Sequence, residues 1–255
     1  MTRYTIRPLS TGHYDEAELA FHYYLPDPRN AGVKIKVEYW MFLIEGVSSL
    51  ILVDTGPGDP ETWGRQFHHF YDRAPDQVPI TALRKHGIEP QDIDIIINTH
   101  LHWANCHANH LFPSATIYVQ ADEVVEALDP VAPHRPFYTP PEARPPWMQT
   151  LNRTRLLKGT TEIIEGITAF AMPSHTIGFQ SVLIETAVGP ILLAGDMLPF
   201  FANWTGRWGM NHIPSGTMQA SLRQYYRCFD LIERIDPVFI LPGVDPKVAE
   251  REVYG

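Results

Sequence analysis

The 255-residue chain is 44% hydrophobic and 19% charged, an ordinary composition for a soluble protein and enough for one large α/β domain spanning 1–255. A net charge of -9 at pH 7 argues against a nucleic-acid groove or an anionic membrane as partner, and says little about a small-molecule substrate, because a buried site sets its own field. Two cysteines, Cys106 and Cys228, make no disulfide framework, the first residues lack the apolar core of a signal peptide, and no apolar run is long enough to span a bilayer. A reducing, cytoplasmic setting is therefore expected, with a homodimer left open.

Residues 34–54, "KIKVEYWMFLIEGVSSLILVD", read as two strands joined by a turn between Glu45 and Ser49. The second, Leu50 to Val53, is continuously apolar and so buried on both faces. "ITALRKHGI" (80–88) has helical spacing and a stop at Gly87. "IDIIINTH" reads as a buried strand that runs straight into a histidine-rich loop. "ATIYVQ" (115–120) is another strand, followed by the helical "ADEVVEAL". Residues 129–147 combine many prolines with aromatics, as a lid or pocket wall does. Strands follow at "ITAFAM", "QSVLIET" and "GPILLAG", then a helix over about 216–234 and the strand-plus-loop "VFILPGVDP". Strands of several kinds with helices between them predict a layered α/β or α+β fold.

Three of these strands end by presenting a metal-binding side chain. "IIINTHLH" presents His100 and His102, "AFAMPSH" presents His175, and "ILLAGD" presents Asp196. Side chains two apart on extended backbone point the same way, so His100 and His102 can reach one point together. Imidazole and carboxylate donors suit zinc, iron or manganese, with zinc the first expectation and one divalent ion the expected cofactor.

The chain resembles the metallo-β-lactamase superfamily, and within it the N-acyl-homoserine lactonase-like hydrolases. The resemblance runs from about Tyr39 to Pro246 and rests on "VDTG" (53–56), "THLHW" (99–103), "NHLFPSATIYVQ" (109–120), "PSHTIGFQSV" (173–182), "AGDM" (194–197), "NHIPSG" (211–216) and "LPGVDP" (241–246). It implies a four-layer αββα sandwich with a metal site at one edge, between two sheets. The family's His-x-His-x-Asp-His loop is here His100-Leu101-His102-Trp103-Ala104-Asn105. By the resemblance, His100, His102 and His175 match the ligands of one metal, and Asp196 matches the carboxylate that bridges two. The three ligands exclusive to the second metal match Ala104, Asn105 and Val244. The losses fall on one site, so a mononuclear centre is expected. The family's lactonases also carry an aromatic hydroxyl shortly after the bridging Asp; "DMLPFF" offers only Phe200 and Phe201.

Asp54 of "VDTG" is expected to hold the loops by backbone hydrogen bonds. Trp40, Phe137, Tyr138, Trp147, Phe200, Trp204 and Trp208, with His212, are candidates for the substrate pocket. Cys106 is a candidate replacement ligand. His107 and His110 are expected at the surface or at helix caps, and Asp245 in loop packing. The leading expectation is a mononuclear metal-dependent hydrolase acting on a small ester, lactone or related acyl compound, with Asp196 completing the metal shell or positioning the attacking water. One alternative is a mononuclear non-haem iron oxygenase of the same fold, with His100, His175 and Asp196 as its facial triad. Another is a metal-silent binding protein or non-hydrolytic catalyst using an apolar pocket.

Overall fold

The computed structural model describes residues 3–24, 30–46, 49–61, 71–138, 144–207 and 209–255. Trp208, residues 47–48 of the expected turn and residues 139–143 of the proline-rich stretch lie outside these.

Two sheets face each other. The first has strands β1 (Thr5–Glu18), β2 (Lys34–Glu45), β3 (Leu50–Val53), β4 (Tyr71–Asp72), β5 (Ile93–Ile97), β6 (Thr116–Gln120) and β7 (Thr154–Leu157), in the order β4-β1-β2-β3-β5-β6-β7. The second has β8 (Thr161–Ile164), β9 (Ile167–Ala171), β10 (Gln180–Thr186), β11 (Gly189–Gly195) and β12 (Phe239–Pro242), in the order β12-β11-β10-β9-β8. The long β1, whose register shifts twice against β2, was not anticipated from the sequence.

Period-two alternation builds the layers. Along β2, Trp40, Phe42 and Ile44 face inward and meet Ile51, Val53, Ile95 and Ile97 from their own sheet and Val182, Ile184, Ile191 and Leu193 from the other. The intervening Met41 and Leu43 face outward and pack with Ala82 and Leu83 of the helix Pro79–Arg84. Outside the second sheet, Leu192 and Ala194 pack on Tyr225, Cys228, Phe229 and Ile232 of the helix Leu222–Ile235. The fold is thus the four-layer αββα sandwich. The last helix starts at 222, later than expected, because Ser221 caps it by accepting from Gln224 N–H. No helix among the described residues is long and apolar enough to cross a membrane.

The parallel strands β3, β5 and β6 and the outward end of β11 bring their C-terminal loops to one edge of the sandwich. The expected metal-binding side chains sit in those loops.

Candidate metal centre

His100, His102 and His175 are all buried, and each offers a ring nitrogen within 4.8 Å of the other two. His102 Nδ1 and His175 Nε2 are 3.1 Å apart. Asp196 Oδ2 lies 3.7 Å from His100 Nε2 and 3.8 Å from His175 Nε2. The loop from β12 approaches so closely that a Cβ at Gly243 would overlap the Asp196 carboxylate, so glycine is needed there.

Neighbouring hydroxyls set the proton positions. Thr99 Oγ1 donates to Asp54 Oδ2 at 2.6 Å, and it therefore accepts from His100 Nδ1 at 3.0 Å. That leaves the His100 Nε2 lone pair facing the cluster. Thr217 Oγ1 lies 3.2 Å from His175 Nδ1, and that ring's Nε2 faces His102 and Asp196. Burial pushes all three histidines below their usual range, His175 to about 3, so all three are neutral. Burial, and then the Asp54 carboxylate, raise Asp196 to about 7.

These residues fit a divalent cation. His100 Nε2 is a buried nitrogen with no hydrogen-bond partner, and neutral imidazoles converging beside a carboxylate are a first-row metal donor set.

The three positions matched to a second metal do other work. Asn105 Nδ2 donates to Asp54 Oδ2 at 3.0 Å, and its backbone carbonyl accepts from Thr55 N–H at 2.7 Å. Ala104 and Val244 belong to an apolar cluster with Tyr39, Tyr71, Trp103 and Phe200. Tyr71 packs edge-on against Tyr39 at 5.4 Å and Trp103 at 5.5 Å.

Asp54 sits where expected. Its Oδ1 accepts from Thr99 N–H at 2.8 Å, which ties "VDTG" to the histidine loop. Among the pocket candidates, Phe137 and Tyr138 lie on His102, at 5.3 and 4.7 Å between ring centroids. Phe200 stacks on Tyr23 within the apolar cluster. Trp40 is in the inter-sheet core, its indole N–H bound to Asp245 O. Trp147 is buried with Leu101, Val119 and Ala127. Trp204 lines a separate groove of about 240 Å³ with Phe201 and Phe239. His212 is sandwiched between Trp204 and Phe229 and bound to Trp204 O and Glu233. Asp245 accepts from Lys247 N and Phe201 N, a loop-packing role. Cys106 stands outside the ligand cluster. Its thiol bonds Leu101 O, and burial holds it well above the usual thiol range, so it stays protonated. His110 is exposed and its ring bonds His107 O, and His107 is half-buried.

Glu123 was not anticipated. It is fully buried, accepts from Leu101 N–H at 2.9 Å and Thr176 Oγ1 at 2.5 Å, and so ties the loop of His100 and His102 to the loop of His175. Gly178 lets these loops close: a Cβ there would overlap the backbone N and Cα of Glu123. The signal available in sequence was an acidic residue four before Ala127 on a helix whose Val125 and Leu128 turn out to be exposed.

A two-sheet sandwich with a histidine cluster at its strand ends defines a class of metallo-hydrolases. The chain belongs to the metallo-beta-lactamase superfamily, whose profile matches residues 37–244. It is 29% identical over 200 residues to an N-acyl homoserine lactonase of Bacillus sp, covering 75% of this chain and 74% of that one. It is also 29% identical over 174 residues to a Bacillus thuringiensis N-acyl homoserine lactonase, spanning 65% of this chain and 66% of that protein. Among solved structures, an N-acyl homoserine lactone hydrolase with N-hexanoyl-L-homoserine bound at its catalytic metal center superposes with a TM-score of 0.77 at 22% identity, covering 98% of this chain and 96% of that one. A dizinc quorum-quenching lactonase superposes at 0.64 with 17% identity, covering 91% and 83%. At these identities the structural matches establish the fold.

Proposed function

We propose that the protein is a hydrolase dependent on a single divalent cation, zinc first with iron or manganese as alternatives, acting on a small lactone or ester. The observation that carries this is the convergence of His100, His102, His175 and Asp196 beside three positions, Ala104, Asn105 and Val244, that hold no second donor set. The similarity to lactonases supports a cyclic or open acyl ester as substrate. A cation held by the four side chains supplies Lewis acidity to the substrate carbonyl and makes water a better nucleophile.

The chain's own groups do the rest. Thr99 holds the His100 imidazole so that its lone pair faces inward, and Thr217 lies against His175 Nδ1. Glu123 and Asp54 fix the loops that carry them. Asp196 takes the proton of the attacking water. Phe200, packed against Tyr23, has no hydroxyl to offer a leaving group, so Asp196 also returns that proton to the departing alkoxide.

Metal analysis of protein purified without chelator tests this. The expected result is one equivalent per chain, lost in His102→Ala together with hydrolysis of a lactone and ester panel. Two equivalents, or none after metal loading, would overturn the single-ion centre. Oxygen uptake by iron-loaded protein in place of hydrolysis would overturn the reaction class.

A further inference from the structure

A cleft of about 520 Å³ shares no side chain with the metal centre. It is walled by β1, β2, His86 just past the helix Pro79–Arg84, and the helical turn Pro246–Glu250 with the residues that follow it. Its size is that of a small-molecule site. Three cations, Arg7, Lys36 and Arg251, line it against two carboxylates, Glu38 and Glu252. One positive charge is left over, in a chain whose net charge is -9.

The pairing shows where that charge sits. Arg7 donates to Glu45 at 3.4 Å and to Glu252 at 2.9 Å. Glu38, 8% exposed, accepts from Ser10 and from Gln77, and Lys36 Nζ stands 3.6 Å from it. Arg251 has neither a carboxylate nor a hydrogen-bond partner among the described residues. Its guanidinium lies over Phe239 and Tyr254, 5.1 and 5.6 Å from the ring centroids. Aromatic rings take a guanidinium by its face and leave its N–H edge free, and they hold the side chain in place before a ligand arrives. The His86 ring, on the same cleft, also makes no hydrogen bond among the described residues. Desolvation, and then Arg7, lower its pKa, so it is a neutral donor.

These groups define a ligand. A guanidinium fork pairs with a carboxylate through two parallel bonds. One excess positive charge balances a monoanion and not a dianion. Pro8, Trp40 and Pro246 supply an apolar wall for the rest of the molecule.

We propose that this cleft is a second ligand site, separate from the metal centre, that takes a small organic monocarboxylate, its carboxylate on Arg251 and its apolar body against Pro8, Trp40 and Pro246. The site stands independently of the hydrolase reading.

The test is an NMR titration of the isotope-labelled protein with phenylacetate, phenylacetamide and inorganic phosphate. The Trp40 indole N–H, which donates to Asp245 O at 3.1 Å, is the local reporter. Phenylacetate is expected to move that signal with a Kd of about 1 mM, and each of the other two probes to bind at least about tenfold more weakly. Chelator-treated protein is expected to bind phenylacetate equally well. Arg251→Gln should weaken binding by about tenfold or more and leave the metal content unchanged. Lys247→Gln, which removes another exposed cation from the same segment, should bind as the wild type does. No shift of the Trp40 signal in the millimolar range overturns the site. So does equal binding of phenylacetamide, which removes the role of charge, or of phosphate, which removes the role of the apolar wall. Equal losses in the two variants would leave only a general charge effect and also overturn it. Binding that disappears with the metal ion would place the carboxylate on the metal centre and refute a second site.

Discussion

Replacing Glu123 with glutamine separates its loop-tying role from its charge. Burial raises the carboxyl from 4.5 to about 7, against the lowering effect of hydrogen bonds from Thr176 and Leu101. An acid whose folded pKa lies above its unfolded value binds more protons when folded. Its contribution to stability is therefore complete below about pH 4.5 and is lost as pH rises through about 7. At about 1.4 kcal/mol per pH unit, that separation is worth roughly 3 kcal/mol, of which about 2 kcal/mol falls between pH 5 and pH 7.5. A glutamine in the same place still accepts from Leu101 N–H, and its NH2 donates to Thr176 Oγ1, which reverses its role. The exchange costs about 1 kcal/mol in hydrogen bonding and does not titrate. Chelator-treated Glu123→Gln should thus be less stable than the wild type by about 1 kcal/mol at pH 5 and more stable by a similar amount at pH 7.5. Urea unfolding at the two pH values reads this directly, and other titrating groups cancel between the two proteins. Parallel stability profiles would refute the assignment of a buried carboxyl whose pKa folding raises.

Three further outcomes follow from the same contacts. Gly178→Ala places a Cβ on the backbone of Glu123, which cannot retreat as a side-chain tip would, and should lower stability by about 3 kcal/mol in urea unfolding. Asn105→Ala removes the 3.0 Å bond to buried Asp54 and should cost about 2 kcal/mol while leaving the metal content at one equivalent. The triple replacement A104D/N105H/V244H should raise the metal content from one equivalent to two by elemental analysis. The same protein treated with chelator should be less stable than the wild type, because an imidazole at position 244 enters a cluster of aromatic rings.

Much of the sandwich was legible because buried strands declare themselves by continuous or alternating apolar runs: β3, β5, β6 and the helix Ala121–Leu128 fall within a residue or so of the expectation. β1 was not, because its 14 residues mix Gly12, His13 and three acids, and pairing with β2 overrides that local composition. In the site, the histidines and Asp196 were legible because each follows an apolar strand. Glu123 was hidden because its helix presents Val125 and Leu128 to solvent and turns an acid inward, the reverse of the amphipathic rule. Aromatic residues were the least legible. A tryptophan fills a core and lines a pocket with the same chemistry, and only tertiary placement separates Trp40, in the inter-sheet core, from Phe137 and Tyr138, on His102.

The placements of Ala104, Asn105 and Val244 also explain why they go together. A lone histidine at 244 would bury an unpaired imidazole among Tyr39, Trp103 and Phe200, and a lone aspartate at 104 would put a charge against the same rings. Asn105 turns away from them and gives Asp54, which Thr99 already binds twice, a further donor. That donor stabilises the carboxylate that orders Thr99 and, through Thr99, His100. A polar donor placed at 104 or at 244 alone would thus face the same rings unpaired, which couples those two positions. On the proposed single-ion reading, Ala104 and Val244 serve as packing for the apolar cluster, and Asn105 supports the carboxylate that orders the histidine loop. Such coupling between neighbours is the condition under which effects of single replacements stop adding.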